Sequence, residues 1–472
     1  MEKKERRISL GLALIPFLVM IVAMTFVIIV FEGSPHIPIL LGAVVAAFIA
    51  WMSGYSWGEL EKFIYQGITK VLPAVVILIM VGLIISAWIG GGVVTTMIYY
   101  GLEIISPSYF LVAILIICAI VTLMMGSSWS TIGTVGVAGM GIGISMGIPP
   151  AMIAGAIVSG AFFGDKMSPL SDTTILASGI AGAKLSEHIK HMLYTTVPAF
   201  VIALVVYFII GMKFAGNSID VQSIDAVMSG LQDNFLISPW LLLIPLAVLL
   251  LVFKKVPALP ALTVGIILGF LADIFFQGGS IGAAVNALQS GYSIDSGNET
   301  VDSLLNQGGL DSMMYTVSLA MVAMIFGGIM ESTRMLQVIV EQVLKIARTG
   351  RSLCATTVVS SFLTNVITAE QYISIIIPGR MYSRAYKDKN LHPKNLSRAL
   401  EDGGTITSAL VPWSTDAVFV YTTLGVSAWA YAPYAVLNYC VPIISIIFSL
   451  IGFSVVYTHK SKRKEISDEE RF

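Results

Sequence analysis

Seven carboxylates stand inside otherwise apolar stretches of this chain: Asp165, Asp172, Glu331, Glu370, Glu401, Asp402 and Asp416. The densest polar group is GDKMSPLSDTT (164–174), where Gly and Pro interrupt a helix and free its carbonyls. Hard cations prefer oxygen ligands, and Asp165, Ser168, Ser171, Asp172, Thr173 and Thr174 supply carboxylate and hydroxyl oxygens beside those carbonyls. A second group, GGTITSALVPWSTDA (403–417), offers Thr405, Thr407, Ser414, Thr415 and Asp416. The motifs GSSWST (126–131) and TNVITAEQ (364–371) would complete a ring with Ser127, Ser128, Thr131, Asn365 and Glu370. A carboxyl in a low-dielectric cavity holds a proton readily, whereas a bound cation favours the ionised form. Sodium and protons therefore compete for the same oxygens. Asp172 is the best candidate for the shared carboxylate, with Asp165, Glu370 and Asp416 as partners. Direct sodium ligands are expected from Asp172, Thr173 and Asp416.

The elements that hold these groups are membrane helices. Of 472 residues 56% are hydrophobic and only 12% charged, against about 25% charged in soluble proteins. Repeated apolar runs match the roughly 20 residues needed to cross a bilayer core. The fold class is therefore all-α and polytopic, with the lipid bilayer as surroundings. Nucleic-acid binding is excluded because no basic domain exists to neutralise phosphates. Cys118, Cys354 and Cys440 are isolated in apolar runs and indicate neither a disulfide framework nor a zinc site. The run after MEKKERR reads as a retained first span rather than a cleaved signal. Neither a His-rich motif nor a nucleophile–base pair is legible, so the chain does not read as an enzyme. No cofactor is expected beyond transported sodium and protons.

Apolar runs place crossings at 10–31, 37–53, 71–90, 191–213, 238–253, 257–276, 313–331 and 430–457. Segments 150–183 and 393–425 cross once each as broken helices, and 109–146 and 352–378 are re-entrant hairpins. That arrangement has about ten crossings and puts 25 of the 27 Lys and Arg residues on one side, as the positive-inside rule requires. The chain then divides into a cytoplasmic N-terminus (1–9), a first membrane repeat (10–213), an extracellular loop (214–237), a second repeat (238–457, with an extracellular loop at 277–312) and a cytoplasmic tail (458–472).

A shift of 243 residues lays Pro150 on Pro393, Gly160 on Gly403, Pro169 on Pro412 and Ser171 on Ser414. Segment 150–183 runs inward and 393–425 outward, so the halves are inverted repeats whose broken helices meet at the midplane. Secondary transporters are built this way. Simpler roles are open to some of the charges. Lys166 reads as a local partner of Asp165, Glu331 as an interfacial partner of Arg334, and Glu401 and Asp402 as solvated groups near the inner surface.

At GSSWSTIGTVG (126–136), GAFFGDKMSPLSDTT (160–174), HIKHMLYTTVPA (188–199) and VPWSTDA (411–417), the sequence resembles the NhaC family of sodium/proton antiporters. The resemblance implies an ion-transporter-superfamily fold with re-entrant hairpins and exchange of sodium for protons in the cell membrane. It extends to relatives that take in malate and protons for lactate and sodium. Malate and lactate are therefore the substrates of the alternative reading, a sodium-coupled organic-anion exchanger. A second copy of the chain is a candidate partner. One departure stands directly after SDTT, where Ile175 replaces the Asn of the family pattern. The topology is testable by labelling. A Cys placed at Ser296 should react with impermeant thiol reagents from outside, and one at Asn390 only after permeabilisation; reaction of both from one side would break the inverted arrangement.

Overall fold

The computed structural model describes residues 8–458 apart from 32, 105, 215–220, 255, 299–300, 303–304 and 346. The basic N-terminal segment 1–7 and the tail from 459 onward, both used to orient the chain, lie outside the described residues. Helices dominate what is described, with a single isolated bridge between Leu391 and Tyr457. This is an all-α polytopic membrane protein.

The first half runs through α1 (Leu10–Thr25), α2 (His36–Met52), α3 (Trp57–Gly90) and α4 (Val93–Ile104). A hairpin follows, descending in α5 (Pro107–Met125) and returning through α6 (Ser128–Thr131), a π-turn and α7 (Val137–Ser145). The broken helix is α8 (Pro150–Met167) and α9 (Asp172–Ala181), and α10 (Leu185–Met212) closes the half. Then come α11 (Val221–Asn234), α12 (Leu243–Phe253), α13 (Ala258–Phe275), α14 (Ile281–Ser290), α15 (Gly309–Ser332) and α16 (Met335–Leu344). The second hairpin is α17 (Gly350–Thr368) and α18 (Gln371–Asp388). Its broken helix is α19 (Pro393–Gly403) with α20 (Thr405–Ser408), then α21 (Thr415–Leu424), before α22 (Ala428–Tyr431) and α23 (Val436–Ile451).

Among the described residues, α3, α5, α10 and α15 are individually long and apolar enough to cross a bilayer. Two bent pairs, Val227–Asn234 with Pro239–Leu251 and Ala428–Tyr434 with Val436–Ile451, pass the same test when each is taken as one span. Four helices were not expected: α4, α11, α14 and α16. They mix apolar and polar residues over only 10 to 14 positions, so a search for continuous apolar runs passes over them.

The repeat is written into the backbone. Left-handed residues recur 243 apart: Gly126 (φ 70°) with Ala369 (φ 59°), Gly147 (73°) with Asn390 (54°), and Gly182 (71°) with Gly425 (71°). Each first pair member ends or links a helix at the same place as its counterpart. Pro150 and Pro393 both occupy the first turn of a broken helix, where a missing N–H costs nothing. Close packing follows the same offset. A Cβ on Gly160 would sit 2.3 Å from the Leu115 carbonyl oxygen of α5, and one on Gly403 2.2 Å from that of Val358 in α17. Each broken helix thus lies against the descending arm of its own hairpin at a distance only glycine permits. Gly160→Ala and Gly403→Ala should each lower the thermal unfolding midpoint in detergent, by the equivalent of about 1–3 kcal/mol of overpacking. Gly179→Ala, with nothing within 4 Å of the new methyl, should leave it unchanged or slightly raised.

Candidate functional site

Each hairpin tip seats against the break of its own half. In the first half α5 ends on left-handed Gly126, and Ser127 caps the returning helix by accepting from Ser130 N at 3.3 Å. Beyond the cap, Ser128 donates from its N–H (3.2 Å) and its hydroxyl (2.5 Å) to Asp165 Oδ2. Ser171, the N-cap of α9, donates to Asp165 Oδ1 at 2.6 Å and lies 3.0 Å from the Thr173 hydroxyl. The Thr174 hydroxyl answers the carbonyls freed at the end of α8, 3.3 Å from Asp165 O and 3.1 Å from Lys166 O. Ser168 accepts from Leu170 N at 3.2 Å and holds the break itself. Asp165 is therefore a buried carboxylate with three donors.

The second half repeats the scaffold with different chemistry. Glu370 caps α18, accepting from Ile373 N at 3.1 Å, as Ser127 caps α6. Ser414 caps α21 and donates to Ser408 O at 2.6 Å, so a backbone oxygen stands where the first half has the Asp165 carboxylate. Thr415 N donates to Ala369 O at 3.0 Å, joining tip to break. Asn365 donates to Gly404 O and, at 3.0 Å, to the Thr407 hydroxyl.

Two of the bonds that cross between the halves start from the hairpins. Trp129 Nε1 donates to Asp416 Oδ1 at 2.6 Å, and the Tyr372 hydroxyl donates to Asp172 Oδ2. Asp172 also accepts from Thr173 N at 2.8 Å. Asp172 lies near enough to Asp165, Glu370 and Asp416 for its negative charge to act on each of them. A cavity of about 360 Å³ opens at this junction, walled by Ser127, Ser128, Asp165, Asp172, Gln371 and Tyr372 among others. Asp172 is exposed to it, while Asp165, Glu370 and Asp416 are 4%, 3% and 1% exposed. A second cavity of about 350 Å³ reaches Ala417, Val418 and Tyr421 of α21. Trp129, on the wall of the first cavity, stacks on Phe419 of α21 with ring centroids 5.0 Å apart.

The sequence pattern of the Na+/H+ antiporter family matches residues 8–181 and 160–453. The Na+/H+ antiporter NhaC of Alkalihalophilus pseudofirmus is 39% identical over 96% of this chain and 97% of its own length. The chain belongs to the Na+/H+ antiporter family. NhaC of Bacillus subtilis is also 39% identical, over 95% of this chain and 99% of its own, and the malate-2H+/Na+-lactate antiporter of the same organism is 38% identical over 91% and 92%.

Within this antiporter-family chain the expected site residues separate into three groups. Asp165, Asp172, Ser127 and Ser128 line the cavity, with Ser171, Thr173 and Thr174 bonded immediately behind. Asp416 and Glu370 are buried beside it. Thr131, Asn365, Ser168, Ser414 and Thr415 satisfy backbone groups: Thr131, for example, lies 3.3 Å from Ser127 O. No three His, Cys, Asp or Glu side chains among the described residues are arranged to hold a metal ion, so a cation here needs hydroxyl, carbonyl or water oxygens as well. Ile175, where the family pattern has Asn, is 50% exposed and absent from the cavity wall. Trp129 and Tyr372 were not anticipated as functional residues, because the carboxylates they reach are 287 and 200 residues away.

The simpler readings of three charges need correction. Lys166 pairs with Asp402 of the other half rather than with its neighbour Asp165, and both side chains are fully buried. Asp402 also accepts from the Thr195 hydroxyl at 3.2 Å and lies 3.6 Å from Arg398 Nε, itself fully buried. Glu401 and Asp402 are thus interior groups rather than solvated ones, and Arg398, counted among the orienting loop charges, is a core residue. Helix geometry explains this: the i, i+4 spacing of Arg398 and Asp402 on α19 turns both toward α8 and α10. Glu331, expected to be in an interfacial ion pair, forms one with Lys70 of α3 at 2.6 Å. Removing one charge from a buried pair strands the other, at about 3–5 kcal/mol. Asp402→Asn should accordingly lower the thermal midpoint and yield of purified protein sharply. Glu187→Gln, at the exposed His392 contact of 3.7 Å, should shift stability by less than about 1 kcal/mol.

Proposed function

We propose that this protein exchanges sodium for protons across the cell membrane, with Asp172 as the carboxylate for which the two compete. The supporting observation is the position of Asp172: exposed to a cavity that mixes carboxylate and hydroxyl oxygens with apolar side chains, where a hairpin tip meets a broken helix, and linked through Thr173 and Ser171 to buried Asp165. Sodium would take oxygens from Asp172 and the neighbouring hydroxyls. A proton would neutralise the same carboxylate. An ionised, empty site is costly to carry through an apolar barrier, which makes competition into exchange. Asp165, Glu370 and Asp416 set the local field, and Thr173 and Asp416 are the further sodium ligands in this reading. The halves are inverted in the membrane, with both termini cytoplasmic, and alternating access moves one against the other.

A second reading, sodium-coupled exchange of organic anions, draws on the malate/lactate relative and on cavity size, since about 360 Å³ exceeds what a single ion needs. Among the described residues, the cavity wall carries no Lys, Arg or His. A dicarboxylate would find no fixed cationic partner among those described residues, which favours the sodium/proton reading.

Proteoliposomes with an internal pH indicator test both. Native protein should move protons on a sodium gradient alone; a requirement for malate or lactate would select the second reading. Asp172→Asn should insert and fold yet lose sodium-driven proton movement and sodium binding. Asp172→Glu should remain partly active with altered sodium affinity. Normal exchange by well-folded Asp172→Asn would remove Asp172 from the site.

A further inference from the structure

The Trp129 and Tyr372 bonds between the halves share the repeat in their donors, while their acids stand one residue out of register, Asp172 aligning with Thr415. Trp129 and Tyr372 stand 243 residues apart, each two residues beyond the N-cap of its hairpin's returning helix, Ser127 in one and Glu370 in the other. Each presents a polar hydrogen at the edge of an aromatic ring. Each gives it to an acid in the first turn of the other half's broken helix: Asp416 in α21, Asp172 in α9. Packing alone does not require this at 372, because Phe there would fill nearly the same volume without a donor. The environments of the two acids are unequal. Asp172 faces the cavity, whereas Asp416 is buried behind Trp129 and the Trp129–Phe419 stack.

We propose that Trp129 and Tyr372 are paired positioning residues for ion exchange, each fixing the carboxylate of the opposite half. The consequence is mechanical. A displacement of either hairpin against the other half alters the hydrogen bond of one acid directly, so ion occupancy and the relative position of the halves are tied at these two bonds. Asp172 Oδ1 is already committed to the N-terminal turn of α9 through Thr173 N. The Tyr372 hydroxyl then sets Oδ2, the oxygen left to meet an ion in the cavity. This proposal rests on Asp172 being the ion-binding carboxylate.

Sodium-driven proton movement measured against sodium concentration tests it. Tyr372→Phe should raise the apparent sodium KM about ten-fold with the maximal rate held within about two-fold, the size expected for one hydrogen bond to a charged group. Trp129→Phe, which keeps a ring against Phe419, should raise KM in the same way. Tyr372→Trp installs the donor found at the equivalent position and should recover most of the lost affinity. A purely structural role predicts another pattern: a lower melting point or yield with unchanged KM in all three variants, and that result overturns the proposal. Loss of exchange in Asp172→Asn with unchanged KM in Tyr372→Phe would leave Asp172 as the site and remove only the positioning role. Normal exchange in Asp172→Asn would instead overturn the assignment on which both rest.

Discussion

Every helix broken inside an apolar medium leaves backbone N–H and C=O groups that no solvent can satisfy, and the architecture of this protein answers that constraint twice. At the first break the Thr174 hydroxyl takes up the carbonyls of Asp165 and Lys166, Ser168 accepts from Leu170 N, and Ser171 caps the resumed helix. At the second, Ser414 bonds Ser408 O and caps α21, while the hairpin tip itself supplies Ala369 O to Thr415 N. Each hairpin tip is bonded to its break, through Ser128 and Asp165 in the first half and through Ala369 O and Thr415 N in the second. The left-handed tips at Gly126 and Ala369 serve this docking. Ala369 holds a conformation costing about 1–2 kcal/mol for a residue with a Cβ, and strain of this kind tends to gather at functional sites.

A common scaffold carrying unequal side chains is what separates the two halves chemically. The position six residues before the capping serine holds Asp165 in one half and Ser408 in the other. The hairpin cap is Ser127 in one and Glu370 in the other. Acid is thus present at each junction but enters from a different element. Because the backbone registers coincide, these exchanges place carboxylates at several points around one region instead of duplicating a single site. The cavity meets the region from the side of Asp172 and leaves Asp416 covered.

The buried group Lys166–Asp402–Arg398 joins α8 of the first half to α19 of the second. Buried charges are tolerated only when paired, so this contact constrains how far the halves can separate at that level. It is a firm cross-half contact, whereas the Trp129 and Tyr372 bonds are single and reach acids at helix starts.

Much was legible without coordinates, for definable reasons. Gly and Pro punctuation marked both breaks, because a proline ring and an absent Cβ act through local backbone geometry that needs no tertiary context. The 243-residue offset, visible in Pro150/Pro393 and Gly160/Gly403, reappears in the left-handed residues and in the Gly160 and Gly403 contacts. Acids in apolar stretches identified the chemistry, since few environments inside a membrane protein tolerate them. Partner choice was different. Lys166 is adjacent to Asp165 in sequence yet bonds Asp402, Arg398 is a core residue, and nothing in the sequence singled out Trp129 and Tyr372 as partners of acids in the other half. Sequence determined where helices break and which oxygens are available, because those follow from residue type and local geometry. Only the tertiary structure decided which groups meet, because hydrogen bonds and ion pairs between halves depend on ångström-scale approach of segments some two hundred residues or more apart.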